Sequence, residues 1–415
     1  MTHANDPSDF FLMREKLTPQ EHALSSKIRA FVNERVLPVI NEAWERAEFP
    51  RELLPAIREL GIVGTTINGY EAPGMTLREQ GLTAFELSRG DGSLNTFLAV
   101  HSGLTMGTIH DLGSEAQQQR WLPRMSRLEQ TGAFALTEPE HGSDAVALET
   151  YAEKRGSGYV LNGRKRWIGN GATADVVIIW ARDRADEHIK AFVMTREPGQ
   201  DYPEGYHATP ITGKIGKRAV EQADLVLTDL FIPEDQLLSG SHDFSDVVRA
   251  LDRTRLNVGW SALGHATAAF EIALEYATER EQFGAPIASY QLVQQQLVQM
   301  LTRITSMYAL CFRITELAER GEATGPMTSL LKMHTANASR EVCRAARDLL
   351  AGNGILLERH VARHLTDSEI NHTYEGTESI QTLLIGRHLT GISAFSRHRR
   401  RRSSDSATPA NGPAS

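Results

Sequence analysis

Twice along its length the chain changes the spacing of its apolar residues, and that double switch limits the architectures open to it. From Thr18 to Leu128 the spacing is helical, with Ile28, Phe31, Val32, Val36 and Ile40 three or four residues apart. Thr18-Pro19-Gln20-Glu21 has the form of a helix N-terminus, with Glu21 at the distance from Thr18 that a reciprocal cap requires. Further helices are expected over residues 51–60, 76–88, 95–109 and 114–128. After Gly132 the runs shorten, and Gly and Pro separate strand-like stretches at 176–180, 191–195 and 223–231. Asn162-Gly163, between apolar runs, predicts a tight hairpin turn. From Phe244 long helical stripes return. Leu256, Trp260, Leu263, Phe270 and Leu274 form one; Val293, Leu297, Met300, Ile304, Met307, Cys311 and Ile314 alternate by four and three in a second. Helices over 326–350 and 377–395 complete a set whose short connections favour an antiparallel four-helix bundle.

The expected fold class is therefore α+β. It comprises an extension (1–17), an N-terminal α-helical domain (18–131), a middle β domain (132–243), a C-terminal four-helix-bundle domain (244–396) and a tail (397–415). The length of 415 residues supports this, since a single core rarely organises so many. In the tail, Arg397 and Arg399 to Arg402 repel one another, and the Ser, Pro, Ala and Gly that follow build no core, so it is expected to be disordered and solvated.

Composition removes several classes of function. A formal charge of −8, from 44 Lys+Arg against 52 Asp+Glu, argues against nucleic-acid binding through overall positive charge. The 2 cysteines, Cys311 and Cys343, both in helical stripes, argue against a disulfide scaffold. No run of about eighteen apolar residues suggests a membrane span, and no signal core opens the chain, so a cytoplasmic protein is expected. The phosphate loop, the nucleophile elbow and the HExxH zinc motif are missing. Gly352-Asn353-Gly354 reads as a helix cap rather than a dinucleotide fingerprint, and His360 with His364 as a solvated or structural pair rather than metal ligands. No metal is expected.

Three segments stand out: GAFALTEPEHGSDA (132–145), NGRKRWIGNG (162–171) and NHTYEGTESIQ (371–381). With Asp252-Arg253-Thr254-Arg255, Arg280-Glu281-Gln282-Phe283-Gly284 and Leu350-Ala351-Gly352-Asn353-Gly354, they make six ordered motifs by which the chain resembles the acyl-CoA dehydrogenase family, from about Thr18 to Phe395. The resemblance implies an FAD enzyme, usually a homotetramer, that desaturates acyl-CoA thioesters to trans-2-enoyl-CoA. Its electron acceptor would be an electron-transfer flavoprotein or oxygen.

Removing an α-proton from a thioester needs a carboxylate on one face and a hydride acceptor on the other. Glu375 is the candidate base, flavin N5 the implied acceptor. Gly376 lets the backbone turn sharply, and the Glu375 N–H is implied to help bind the thioester carbonyl. Some family members place the base near the Asp-x-x-Arg segment; that position is Thr254 here, which cannot serve. For FAD the resemblance implies Phe134, Leu136, Thr137, Trp167, Ile168 and Gly169 at the ring. It implies Arg280, Gln282 and Phe283 from a neighbouring subunit, and Ala351, Gly352, Thr377 and Ser379 at further contacts. For the substrate it implies Ser143, Asn95, Asp252, Arg255, Gly376 and Arg387. Asp252 and Arg255 could equally form an intrahelical ion pair.

Two departures sharpen the expectation. Gly169 stands where many members carry threonine, which removes a hydroxyl and is expected to leave space beside the flavin; with the KRWIGN segment, similar to a plant short-chain acyl-CoA oxidase group, this raises an oxidase alternative. The ending Arg387, Thr390, Gly391, Ile392, Ala394, Phe395 is similar to the glutaryl-CoA dehydrogenase branch. Asn95, however, stands where that branch carries an arginine for the distal carboxylate, so a neutral acyl chain is expected over glutaryl. A non-catalytic flavin- or CoA-binding subunit is the alternative from another class, and retention of Glu375 speaks against it.

Overall fold

The computed structural model describes residues 6–395; the first five residues and the arginine-rich tail lie outside the described residues. The N-terminal helices are α1 (Pro19–Phe31), α2 (Leu37–Arg46), α3 (Leu54–Leu60), α4 (Leu77–Gly90), α5 (Gly92–Leu98), α6 (Gly107–Leu112) and α7 (Glu115–Ser126). Local chemistry sets their starts. Thr18 and Glu21 cap α1 reciprocally, as do Thr76 with Glu79 for α4 and Ser114 with Gln117 for α7. The helix expected over 95–109 is α5, a π-helical stretch at Ala99–Met106, and α6. Such widened turns often shape functional sites. A small ribbon, β1 (Asn68–Gly69) with β2 (Ala72–Pro73), precedes α4.

The middle domain is a seven-stranded sheet of β3 (Gly132–Ala135), β4 (Tyr151–Arg155), β5 (Gly158–Gly169), β6 (Val176–Asp183), β7 (Ile189–Thr195), β8 (Tyr206–Pro210) and β9 (Gln222–Pro233). β6 pairs antiparallel with β7, and parallel with both β3 and β4. The order then runs β4-β5-β9-β8, all antiparallel.

Asn162-Gly163 is not the hairpin turn its sequence suggests. β5 runs straight through it, and the turn is one step earlier, at Gly156-Ser157 between the paired Arg155 and Gly158. Asn162 instead sits at a bulge, exchanging hydrogen bonds with Asp229 of β9: its Nδ2 donates to Asp229 Oδ1 (3.1 Å), and its Oδ1 accepts from the Asp229 N–H (2.9 Å). Gly163 is required because a Cβ there would lie 2.4 Å from Thr150 Oγ1.

The C-terminal domain contains α8 (Phe244–Glu279), α9 (Gln291–Glu319), α10 (Gly325–Leu349), α11 (Val361–Thr373) and α12 (Glu378–Thr390), with a ribbon of β10 (Glu281–Gln282) and β11 (Ala285–Pro286) after α8. The periodicity of the sequence misses α11. Its buried residues are Val361, Arg363, His364, Asp367, Ser368 and Asn371, a largely polar face that an apolar-spacing criterion passes over. Helix α12, by contrast, buries only Gln381. Cys311 and Cys343 are buried free thiols.

α4 ties the layers together. Every residue from Gln80 to Ser88 is buried, with Leu87 in a core shared with the sheet and Leu82, Ala84 and Phe85 in the core of the C-terminal helices. α4 and α8 approach so closely at Gly264 that a Cβ there would lie 2.4 Å from the Phe85 carbonyl oxygen. Gly264→Ala should therefore destabilise the fold by about 1–3 kcal/mol, read as a fall in the thermal unfolding midpoint; an unchanged midpoint would contradict this packing.

Candidate active site

Glu375 lies in the turn between α11 and α12 with φ 56, followed by Gly376 with φ 85. Left-handed backbone is unfavourable for glutamate, so the turn has to be held from outside. Lys332, fully buried in α10, holds it: Nζ donates to the carbonyls of His372 (3.0 Å) and Gly376 (2.8 Å). Gln381 of α12 adds a bond from Nε2 to the Glu375 carbonyl (2.9 Å). The start of α12 is fastened in turn, since Glu378 accepts from Asn337 (2.9 Å) and pairs with His372 (2.7 Å).

The carboxyl group of Glu375 is shaped by opposing effects. Burial raises its pKa; a hydrogen bond from Thr254 Oγ1 to Oε2 (3.0 Å) and the cations Arg255, Lys332 and Lys217 hold it down. The outcome is a raised value, as suits a proton acceptor working near neutrality. The Glu375 backbone N–H makes no hydrogen bond among the described residues, which leaves it free for a carbonyl oxygen.

A small cavity of about 20 Å³ lies on the Thr254 side of this carboxylate. Thr254 lines it together with apolar Ile62, Leu87 and Leu98 and uncharged polar Gln80, Asn95 and Asn257; its wall also includes Ala99, Ser102 and Gly103 of the π-helical stretch. Asn95 donates to Asn257 Oδ1 (3.2 Å). Among the described residues no charged side chain lines the pocket. A shallow depression on the middle domain, lined by His188, Lys190, Glu234 and His242 among others, shares no residue with it.

The candidate ring-binding residues gather where β3 ends and β5 finishes. Phe134 and Leu136 turn their side chains into the core, Phe134 pairs with Ile178 of β6, and the Thr137 hydroxyl has no partner among the described residues. Trp167 has φ 63 at an irregularity in the β5–β9 ladder and is 52% exposed, with Arg166 over its ring. Ile168 is buried below it. An unpaired hydroxyl beside a half-exposed indole fits a flat heteroaromatic group with polar edges. The two motifs that supply these residues are joined underneath by a buried pair, Lys165 Nζ to Glu138 Oε1 (2.9 Å), with a second bond to the Leu136 carbonyl (3.0 Å). Burial lowers the Lys165 pKa to about 8.

Gly169 does not leave the space expected of it. A Cβ there would lie 3.0 Å from Val100 Cγ2, so Val100 already occupies that side.

The other candidates are spread over several elements. Arg280, Gln282 and Phe283 are exposed at the ribbon after α8, and Phe283 is 97% exposed. Ala351 (φ 49) and Gly352 are exposed just past α10, with nothing within 4 Å of a Cβ built on Gly352. Thr377 caps α12, Ser379 and Arg387 lie exposed on that helix, and Ser143 is exposed in the turn after the Glu138 segment. Asp252 and Arg255 do form an intrahelical ion pair; Arg255 also acts electrostatically on Glu375, and its Nε is buried without a partner. Four non-glycine candidates, Trp167, Phe283, Ala351 and Glu375, share positive φ, a strain that collects at functional sites.

Sequence reasoning missed Lys332, Gln381 and the supporting role of Thr254. A signal existed for Lys332: it stands in register with Thr328, Leu331, Thr335 and Ser339 on the buried face of α10. His364 meets His265 (Nδ1 to Nδ1, 2.9 Å), and no group of three or more His, Cys, Asp or Glu among the described residues is arranged to hold a metal. No helix among them is long and apolar enough to cross a membrane.

Comparison with known proteins gives three family matches in order: acyl-CoA dehydrogenase N-terminal domain at residues 18–129, middle domain at 133–230 and C-terminal domain at 244–390. An acyl-CoA dehydrogenase of Bacillus subtilis is 30% identical over 380 residues, covering 90% of this chain and 99% of its own. The mitochondrial short-chain specific acyl-CoA dehydrogenase of Rattus norvegicus is 30% identical over 377 residues, covering 89% of this chain and 90% of its own. Among solved structures, a glutaryl-CoA dehydrogenase from Mycobacterium smegmatis in complex with FADH2 aligns with TM-score 0.91 and 32% identity, over 94% of this chain and 100% of that one. The butyryl-CoA dehydrogenase of Megasphaera elsdenii aligns with TM-score 0.85 and 28% identity, over 90% and 99%.

Thr254→Val removes the one hydrogen bond that a described side chain donates to the Glu375 carboxylate, so its pKa should rise further. Infrared difference titration of the carboxyl band measures this, and an unshifted titration would contradict the arrangement.

Proposed function

The chain belongs to the acyl-CoA dehydrogenase family, and from that premise we propose that it carries out FAD-dependent α,β-desaturation of a short, uncharged acyl-CoA to the trans-2-enoyl-CoA, with Glu375 as the base. The observation that carries this reading is the Glu375 carboxylate: partly desolvated, hydrogen-bonded by Thr254, and set beside a pocket that Thr254 lines. FAD, when bound against Phe134, Leu136, Thr137, Trp167, Ile168 and Gly169, supplies the two-electron acceptor for the β-hydride. The chain does the rest. The free Glu375 N–H polarises the thioester carbonyl, which acidifies the α-carbon. The carboxylate then takes the α-proton at Oε1 or Oε2, its raised pKa giving the driving force to do so.

Substrate choice follows from the pocket lining. Gln80, Asn95, Asn257 and Thr254 offer amides and hydroxyls but no cation, so a distal carboxylate would be desolvated without compensation. Similarity to the short-chain specific acyl-CoA dehydrogenase of Rattus norvegicus and to the butyryl-CoA dehydrogenase of Megasphaera elsdenii supports a short chain. Glutaryl-CoA is accordingly a poor substrate, although a glutaryl-CoA dehydrogenase is among the similar structures.

The electron acceptor we assign is an electron-transfer flavoprotein rather than oxygen, because Val100 covers the side of Gly169 from which a missing threonine would have admitted oxygen. A homotetramer accounts for Arg280, Gln282 and Phe283, whose exposed ribbon would complete the FAD site of a neighbouring subunit. Ala351, Gly352, Thr377 and Ser379 would make further FAD contacts, and Ser143, Asp252, Arg255 and Arg387 would hold the CoA portion. We assign the protein to the cytoplasm.

Anaerobic bleaching of the flavoprotein tests this reading. Butyryl-CoA should bleach it at least about tenfold faster than glutaryl-CoA, as expected for a carboxylate desolvated without a partner. Glu375→Gln should retain FAD but lose bleaching by about a thousandfold or more. A variant that bleaches at the parent rate would remove Glu375 as the base. With oxygen as sole acceptor, peroxide should form far more slowly than a dye is reduced; equal rates would restore the oxidase alternative.

A further inference from the structure

Directly behind the catalytic turn lies one of the cations that act on the Glu375 carboxylate. Lys217 comes from the middle domain, in the segment between β8 and β9, with φ 45 and its side chain buried. Its Nζ donates to Thr96 Oγ1 of α5 (2.8 Å) and to the Tyr374 hydroxyl (2.7 Å), and lies 4.2 Å from the centroid of the Tyr374 ring. One ammonium thus joins all three domains at the residue next to Glu375. Its backbone N–H donates to Asp367 Oδ1 of α11, whose Oδ2 accepts from the Gly92 N–H (3.2 Å). Gly92 has no room for a side chain, since a Cβ would lie 2.8 Å from Asp367 Oδ2 and 2.7 Å from His265 Nε2.

We propose that Lys217 is a positioning residue for proton transfer at Glu375, fixing the turn through the Tyr374 hydroxyl and favouring the ionised carboxylate by its charge. This rests on Glu375 being the base. Tyr374 precedes Glu375 directly, so the hydrogen bond that holds its ring also limits where the left-handed turn can move. The charged groups around the pair come from several elements. Glu375 feels Arg255 from α8 and Lys332 from α10 besides Lys217; Lys217 feels Asp367 from α11, Asp91 from between α4 and α5, and Lys214 from its own segment. His265 and His364 are kept neutral by burial and by the neighbouring cations, so neither supplies the missing charge. Burial lowers the Lys217 pKa and raises that of Asp367.

The test compares Lys217→Met, the double variant Lys217→Met/Asp367→Asn and Lys217→Arg in the FAD-loaded protein. The double variant removes both buried charges together, which avoids leaving one uncompensated; it keeps one of the two backbone N–H bonds that Asp367 accepts. FAD content and thermal midpoint report folding; the pH dependence of anaerobic bleaching by butyryl-CoA reports the base. In the methionine variants the acid limb should move up by about one pH unit, because the base loses a favourable cation. The bleaching rate should fall about tenfold through loss of orientation, with the half-saturating substrate concentration within about twofold of the parent. Lys217→Arg should restore the pH profile in part. A folded double variant with the parental rate and pH profile overturns the proposal. If the parent itself does not bleach, the reading of Glu375 fails instead, so the two failures are distinguishable.

Discussion

Burial makes the Glu375 carboxylate harder to ionise, and groups from several elements work against that burial. Thr254 and Arg255 come from α8, Lys332 from α10 and Lys217 from the middle domain. A carboxylate left in water would be a weak base held at its ordinary pKa, and one buried without partners would stay protonated. The working condition lies between these limits, and it is reached only where the bundle helices, the sheet and the N-terminal helices meet. The long chain and its three-domain order follow from the need to bring those elements to one turn.

The same requirement explains where the protein tolerates unfavourable groups. Lys332, Lys165 and Lys217 are fully or almost fully buried, which is unusual for lysine, and each spends its hydrogen bonds on backbone carbonyls or on neighbouring polar side chains. Lys332 holds the turn at Gly376; Lys165 ties the Leu136–Glu138 segment to β5; Lys217 braces Tyr374. Left-handed backbone at Glu375 and Trp167 is held by these supports. A rigid frame of this kind would keep the proposed base and a hydride acceptor on opposite faces of the substrate, where misplacement by about 1 Å is enough to cost a hundredfold in rate.

Much of this was legible in the sequence because it rests on local chemistry. The cap at Thr18 and Glu21, the apolar stripe of α9 and the change to short strands after Gly132 are each decided by near neighbours, and the fold bears them out. The failures come from tertiary context. Asn162-Gly163 has the composition of a turn, but its side chain pairs with Asp229 across the sheet and the strand continues. Helix α11 packs Arg363, His364 and Asp367 inward, where Arg363 bonds the Gly90 carbonyl (3.0 Å) and pairs with Asp91, so apolar periodicity gives no sign of it. Gly169 suggested open space, which Val100, distant in sequence, fills. The candidate base was readable from the TYEGT segment; the groups packed around it, Lys332 and Lys217, were not, because their partners are set only by packing.

The central claim is that Glu375 removes the α-proton, and exchange of that proton reports on it without requiring turnover. The parent protein, reduced so that hydride transfer cannot proceed, would be incubated with butyryl-CoA in deuterated water and the recovered thioester examined by mass spectrometry. The account predicts deuterium at the α-carbon with the parent and almost none with Glu375→Gln carrying the same FAD content. Equal incorporation by both proteins would contradict it.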